Sequence, residues 1–188
     1  MVLADLVARA RAELAPVLAR FKVEVALAPD LPAVLIDPAL IGQALVNLLE
    51  NASKYAAEGS AIQIIAAPDP TGVALTVCDE GPGIAAPERQ RVFELFYRVA
   101  QGDGQPAGTG LGLAIVKGLV EANGGSVAVI DPPSGKGAAI RLILPALPLP
   151  AAPIPALPLP RTRDSPAHIP RHPSHLPHTP PASSPRPY

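Results

Sequence analysis

Gly108-Thr109-Gly110-Leu111-Gly112-Leu113, running on into Ala114-Ile115-Val116-Lys117-Gly118-Leu119-Val120-Glu121, decides how the rest of the chain is read. Glycines at alternate positions let a backbone pass close to a bulky anion at angles other residues resist. Behind them, Leu111, Leu113, Ile115, Val116, Leu119 and Val120 recur with the spacing of a helix that has one broad apolar face. A glycine turn opening a helix aims free N–H groups and the positive end of the helix dipole at one spot, which suits phosphate. The stretch lacks the Gly-Lys-Ser/Thr ending of a P-loop and the G-x-G-x-x-G register of the dinucleotide fingerprint. Taken alone, the same residues would also serve as a plain glycine linker ahead of an ordinary helix.

Working back toward the N-terminus, a second informative stretch lies on a helix expected from Pro38 to about Ala57. Asp37-Pro38 is a helix start, with Asp as N-cap and Pro at the first helical position. Leu40, Ile41, Ala44, Leu45, Leu48 and Leu49 form its apolar face, while Asn47, Asn51 and Lys54 share another line at spacings of four and three. Asparagine is a mediocre helix former, so two of them aligned with a lysine call for an explanation. One is a solvated polar face. The other is a metal and phosphate site, since an amide oxygen is a suitable hard ligand for Mg²⁺ and a lysine reaches a phosphate.

Two strands joined by a turn, Ala61–Ala66 and Val73–Cys78, follow that helix. Directly after them, Asp79-Glu80-Gly81-Pro82-Gly83-Ile84 places a carboxylate at a strand end beside two close glycines. It would accept hydrogen bonds from an exocyclic amine; equally, Asp-x-Gly is a common turn. Further elements are a helix from Asp5 to Phe21, kinked or stopped at Pro16, and strands at Val23–Leu27 and Ala33–Ile36. A short helix is expected at Pro87–Val92, then a mobile loop from Val99 to Ala107, and a closing hairpin of Ser126–Ile130 with Ala138–Leu144.

Composition narrows the function classes. A net charge of −1 in 188 residues gives no footing for nucleic acid or an anionic membrane. The single cysteine, Cys78, excludes an internal disulfide framework and fits a reducing, cytoplasmic setting. Of the 26 prolines more than half follow Leu144, and all four histidines (His168, His172, His175 and His178) lie there too. That stretch reads as extended, disordered low-complexity chain. Its uncharged run from Leu142 to Pro160 has nearly the length of a membrane span, but the repeated prolines exclude a continuous helix.

Four separate stretches point to one family. Asn47 to Tyr55 resembles the N box of sensor histidine kinases, Asp79 to Ile84 the G1 box, Phe93 to Arg98 the F box, and Gly108 to Leu113 the G2 box. Their order and separations match the catalytic ATP-binding domain of that family, within the wider group shared with gyrase, Hsp90 and MutL. The segments Phe96-Tyr97-Arg98, Ala107 to Ile115 and Leu144-Pro145 resemble the kinases of the Kdp potassium-sensor type.

The resemblance implies a Bergerat-type ATP-binding fold, an α+β two-layer sandwich of a mixed, mainly antiparallel sheet covered by helices. Residues 1–22 would form a leading helix, 23–145 the ATP-binding catalytic domain, and 146–188 a proline-rich tail foreign to the family pattern. The implied cofactors are ATP and Mg²⁺. Asn51 would bind the metal with Asn47 in support, Lys54 and Arg98 would approach the phosphates, and Tyr55 would stack near the base. Asp79 would read the adenine amino group, with Gly81 and Gly83 making space and Ile84 alongside. Gly108, Thr109, Gly110, Leu111, Gly112 and Leu113 would border the triphosphate beneath a lid of residues Val99–Ala107, anchored by Phe93 and Phe96.

ATP-hydrolysing members of the wider group carry a glutamate where this chain has Asn47, so slow hydrolysis is expected. The implied activity is donation of the γ-phosphoryl group to a histidine on a dimerisation helix domain, with a response regulator downstream. Two alternatives are a nucleotide-binding module without transferase activity and a serine-directed anti-sigma-type kinase. No histidine precedes His168, so the acceptor helices are expected outside this chain, in cis in a parent receptor or in trans, and the chain is expected to be a catalytic fragment.

Overall fold

The computed structural model describes residues 3–99 and 109–147, within the first of two units, Met1–Pro150. Gly108, most of the expected lid and the histidine-bearing tail lie outside the described residues.

The N-terminal segment forms α1 (Leu3–Glu13) and a short α2 (Ala15–Leu18). Pro16 stops the first helix rather than kinking it. It sits in the first turn of α2, where its missing N–H would have no intrahelical partner in any case. The edge strand β1 (Lys22–Leu27) leaves Val25 exposed, because it has one neighbour and lies at the margin of the helical layer. Ala33–Ile36 does not form the expected strand. Val34 makes a single bridge to Ala146, after which the chain turns into the cap of the next helix.

That helix, α3 (Pro38–Tyr55), is the spine of the molecule. The Asp37 carboxylate accepts from the Ala39 and Leu40 amides at 2.8 and 3.3 Å, satisfying donors that the first turn leaves unpaired. Ile41, Ala44, Leu45 and Leu49 are fully buried along one stripe. The hairpin of β2 (Ala61–Asp69) and β3 (Gly72–Asp79) follows. Pro87–Val92 is not one helix but two 3₁₀ turns, Ala86–Glu88 and Arg91–Phe93. Val92 is their sole buried residue, too little apolar face to hold a longer helix. Then come α4 (Gly112–Ala122), β4 (Ser126–Ile130) and β5 (Ala139–Pro145).

The five strands lie in the order β1-β2-β3-β5-β4. The β1–β2 pair is parallel, with α3 as its crossover, and the other pairs are antiparallel. Ile62 and Ile64 of β2, Val73 and Leu75 of β3, and Leu142 and Leu144 of β5 are buried on one face, under α1, α3 and α4. The outer face carries Glu24, Gln63 and Arg141, with a Gln63–Glu24 hydrogen bond of 2.7 Å. This is an open, mixed, mainly antiparallel α+β sandwich, as the sequence led us to expect.

Candidate functional site

At the end of the sheet where β3 finishes and β5 begins, the helical layer and the strands part around a cavity of about 330 Å³. The residues that line it come from five places in the chain. Each arrives there for a local reason.

The floor is the C-terminal half of α3. Asn47, Asn51, Lys54 and Tyr55 all line the cavity, as helical spacing brings positions four and seven apart onto one side. Their neighbours Leu45 and Leu49 face the core, so one helix supplies both packing and a polar strip. Asn51 meets the start of α4 closely. A Cβ built on Gly112 would lie 3.0 Å from the Asn51 Nδ2 and 3.2 Å from its Oδ1.

Asp79, the last residue of β3, forms the far wall. Its Oδ1 accepts from the Gly81 amide at 2.8 Å and the Ala138 amide at 3.4 Å, while its own N–H donates to the Ala138 carbonyl at 2.9 Å. Both side-chain bonds fall on one oxygen. Among the described residues, Oδ2 has no partner of this kind. Burial pushes the carboxyl up from its ordinary value, and the two amides only partly counter it. Asp79 is therefore a half-buried carboxylate with one oxygen held and one left to receive a donor.

Thr109, Gly110, Leu111, Gly112 and Leu113 also line the cavity, with Tyr97, Arg98 and Val99 beside them. Among the described residues no side chain caps the N-terminus of the 11-residue α4, so its first amides and its dipole are aimed into a partly polar space. Leu113 and Ile115, part of the apolar face expected for this helix, line the cavity rather than the closed core, where only Val116 and Val120 are fully buried. Tyr97 is fixed from two sides. The Arg91 guanidinium stands 4.3 Å from its ring centroid, and its hydroxyl donates to Glu88 at 3.3 Å.

The cavity gathers most of the residues singled out in the sequence, Gly83 and Ile84 included. Gly81, Phe93 and Phe96 stand outside its lining, and Phe93 packs against the core instead. Gly81 is wedged behind Asp79, where a Cβ would lie 2.8 Å from the Asp79 Oδ1 and 2.9 Å from the Tyr55 carbonyl oxygen. Phe96 turns its ring to solvent, 71% exposed, at a positive φ of 63°, and its N–H donates to Gly110. Gly108 lies outside the described residues. Among lining residues the motifs did not single out, Val77 and Ile140 look in sequence like ordinary strand core. Ala138 carries no side-chain signal at all, since its part is played by backbone.

Among the described residues no three His, Cys, Asp or Glu side chains gather as a metal cluster, and no helix is long and apolar enough to cross a membrane.

Residues 36–148 match the family described as histidine kinase-, DNA gyrase B- and HSP90-like ATPase. The chain is 40% identical over 128 residues to the adaptive-response sensory kinase SasA of Nostoc sp. (strain PCC 7120), covering 68% of this chain and 31% of that protein. It is 43% identical over 116 residues to the signal transduction histidine-protein kinase/phosphatase MprB of Mycobacterium ulcerans, covering 60% of this chain and 22% of that one. The chain thus spans a third or less of these relatives. Among solved structures, a mycobacterial sensor histidine kinase MprB superposes with a TM-score of 0.67 at 34% identity, over 78% of this chain and 96% of that one. Full-length ShkA in complex with AMPPNP gives 0.63 at 32% identity, over 79% and 32%.

Proposed function

The chain belongs to the family of histidine kinase-, DNA gyrase B- and HSP90-like ATPases, and we propose that it is the ATP-binding catalytic domain of a two-component sensor histidine kinase. In this reading it holds ATP with Mg²⁺ and presents the γ-phosphoryl group to a histidine on a dimerisation helix domain, which in turn serves a response regulator. One observation carries the proposal: a polar strip from α3 and the N-terminus of α4 face the half-buried carboxylate of Asp79 across one cavity.

The division of labour follows from the chemistry of each group. Asp79 accepts the adenine amino group through Oδ2, with the apolar Ile84 and Val77 beside the base. Tyr55 and Tyr97 offer ring faces at the cavity rim. Lys54, Arg98 and the first amides of α4 supply positive charge and donors for the triphosphate. The donor set also fits Mg²⁺. That ion keeps several waters and takes few protein ligands besides phosphate oxygens, and the Asn51 amide beside Gly112, supported by Asn47, provides a neutral oxygen at the phosphate end. When bound, the metal neutralises phosphate charge.

Asn47 and Asn51 are poor proton acceptors, so the cavity has no amide-borne base to activate water. Phosphoryl transfer depends mostly on positioning and charge neutralisation. A clamp of this kind therefore keeps the γ-phosphoryl group intact until an outside nitrogen nucleophile arrives.

The test is to mix the chain with an isolated acceptor-helix dimer and γ-labelled ATP. Acid-labile, base-stable label on the acceptor histidine is expected. ATP binding without transfer to any acceptor tried would replace this reading with that of a nucleotide-binding module.

A further inference from the structure

The turn between β4 and β5 meets the base-side wall of the cavity backbone against backbone. Gly137 has a φ of +84°, and a Cβ there would overlap the Asp79 carbonyl oxygen and lie 2.8 Å from the Glu80 Cα. The contact is reciprocal on its other side: a Cβ on Gly83 would lie 2.8 Å from the Gly137 carbonyl oxygen. The next residue, Ala138, donates its N–H to the Asp79 Oδ1 and accepts the Asp79 N–H. No side chain stands between the two loops at this point, so the position of one main chain fixes the other. The second grip on the same turn is ionic, with Asp131 2.6 Å from the Arg89 guanidinium.

Resting on the assignment of Asp79 as the base reader, we propose that Gly137 is a positioning residue for nucleotide-base selectivity: its missing side chain lets the β4–β5 turn hold Asp79 at the one depth and rotation that leave Oδ2 toward the base. Gly137 does not line the cavity and touches no ligand in this account. It acts through the main chain of Asp79 and the Ala138 amide.

Gly135, two residues away in the same turn, supplies the control. Its φ is +70°, yet nothing lies within 4 Å of a Cβ built there. Alanine at either position incurs the left-handed backbone penalty. Only at 137 does it also push on Asp79.

The experiment compares equilibrium binding of ATP and GTP, each with magnesium, to the full chain and its Gly137→Ala and Gly135→Ala variants. Melting temperatures are recorded in parallel. Gly137→Ala should lose ATP affinity by roughly fivefold or more, because a buried acceptor becomes mispaired. GTP should lose less, so the ATP-to-GTP ratio narrows. Gly135→Ala should melt lower with its ratio unchanged. If Gly137→Ala does not fold, Gly83→Ala presses on the same contact from the other side and should narrow the ratio. An unchanged ratio in the folded variant, or equal narrowing in Gly135→Ala, overturns the proposal while leaving Asp79 as base reader. A wild-type chain with no preference for ATP over GTP removes Asp79 from that role and overturns the inference with it.

Discussion

Gly112 lies against the side-chain amide of Asn51, so closely that a single methyl group at 112 would crowd both amide atoms, at 3.0 and 3.2 Å. A glycine that opens one helix thus sets the room available to an asparagine in the middle of another. Packing and the proposed metal site share this contact.

Gly112→Ala should therefore displace the Asn51 amide and weaken magnesium-dependent ATP binding, while alanine's better helix propensity keeps α4 intact. Asn51→Ala should lose the metal-dependent part outright. Calorimetry with magnesium and with EDTA measures both. A loss of about 1–3 kcal/mol confined to the magnesium titration is expected, and equal affinities for wild type and Asn51→Ala would refute the metal assignment.

Asp79→Asn exchanges an acceptor-only carboxylate for an amide that can turn a donor toward the base. ATP affinity should fall by roughly tenfold or more, as a buried polar pair is mismatched. GTP, which presents a carbonyl at that position, should lose less or gain. Competition of the two nucleotides for a fluorescent analogue gives the ratio directly.

The same substitution should stabilise the ligand-free chain. Burial raises the Asp79 carboxyl above its ordinary 3.8, so the ionised form is disfavoured in the folded state. Below 3.8 the group is protonated in both states and costs nothing. As pH rises, the unfolded chain sheds its proton first, stability falls, and the cost is complete once pH passes the raised folded value. Urea denaturation of wild type and Asp79→Asn should show the variant more stable near neutral pH, with the gap closing toward acid. A gap independent of pH would assign the effect to packing instead.

Steady-state hydrolysis should be close to background. The amide at Asn47 cannot take up a proton from water usefully, so the chain should bind ATP tightly enough to measure yet release little phosphate alone. Sustained phosphate release that survives Asn47→Ala would place a general base elsewhere in the cavity.

Leu45 is fully buried at the centre of α3. Leu45→Ala should cost about 2–5 kcal/mol of folding stability, by lost transfer energy and the cavity left behind. Chemical denaturation checks it.

Much of this was legible because it rests on local rules. The Asp37-Pro38 cap, the strip of Asn47, Asn51 and Lys54, and the turn after β3 each announce themselves by spacing or by turn chemistry. What stayed hidden is non-local. Nothing about Ala138 in the sequence says that its amide reaches Asp79, 59 positions earlier, or that Gly137 abuts the same main chain. Val23, Val25 and Leu27 alternate with Glu24 and Ala26 as a half-buried strand does, yet Val25 is exposed, since alternation cannot tell an edge strand from an inner one; Ala33–Ile36 has strand composition without a partner long enough to pair with. Phe96 has an aromatic side chain in a left-handed conformation beside Gly110, which no propensity would place there.

The double duty of α3 has a kinetic consequence. Ile41, Ala44, Leu45 and Leu49 are among the fully buried residues of the core, and Asn47 and Asn51 stand on the same turns. The floor of the cavity cannot loosen without opening the core. Its amides should exchange hydrogen only through global unfolding, the slowest class in the molecule. On the opposite wall, among residues 92–99 and 109–113, only Val92 is buried. Breathing that admits and releases nucleotide therefore belongs to that wall, against a floor that stays still.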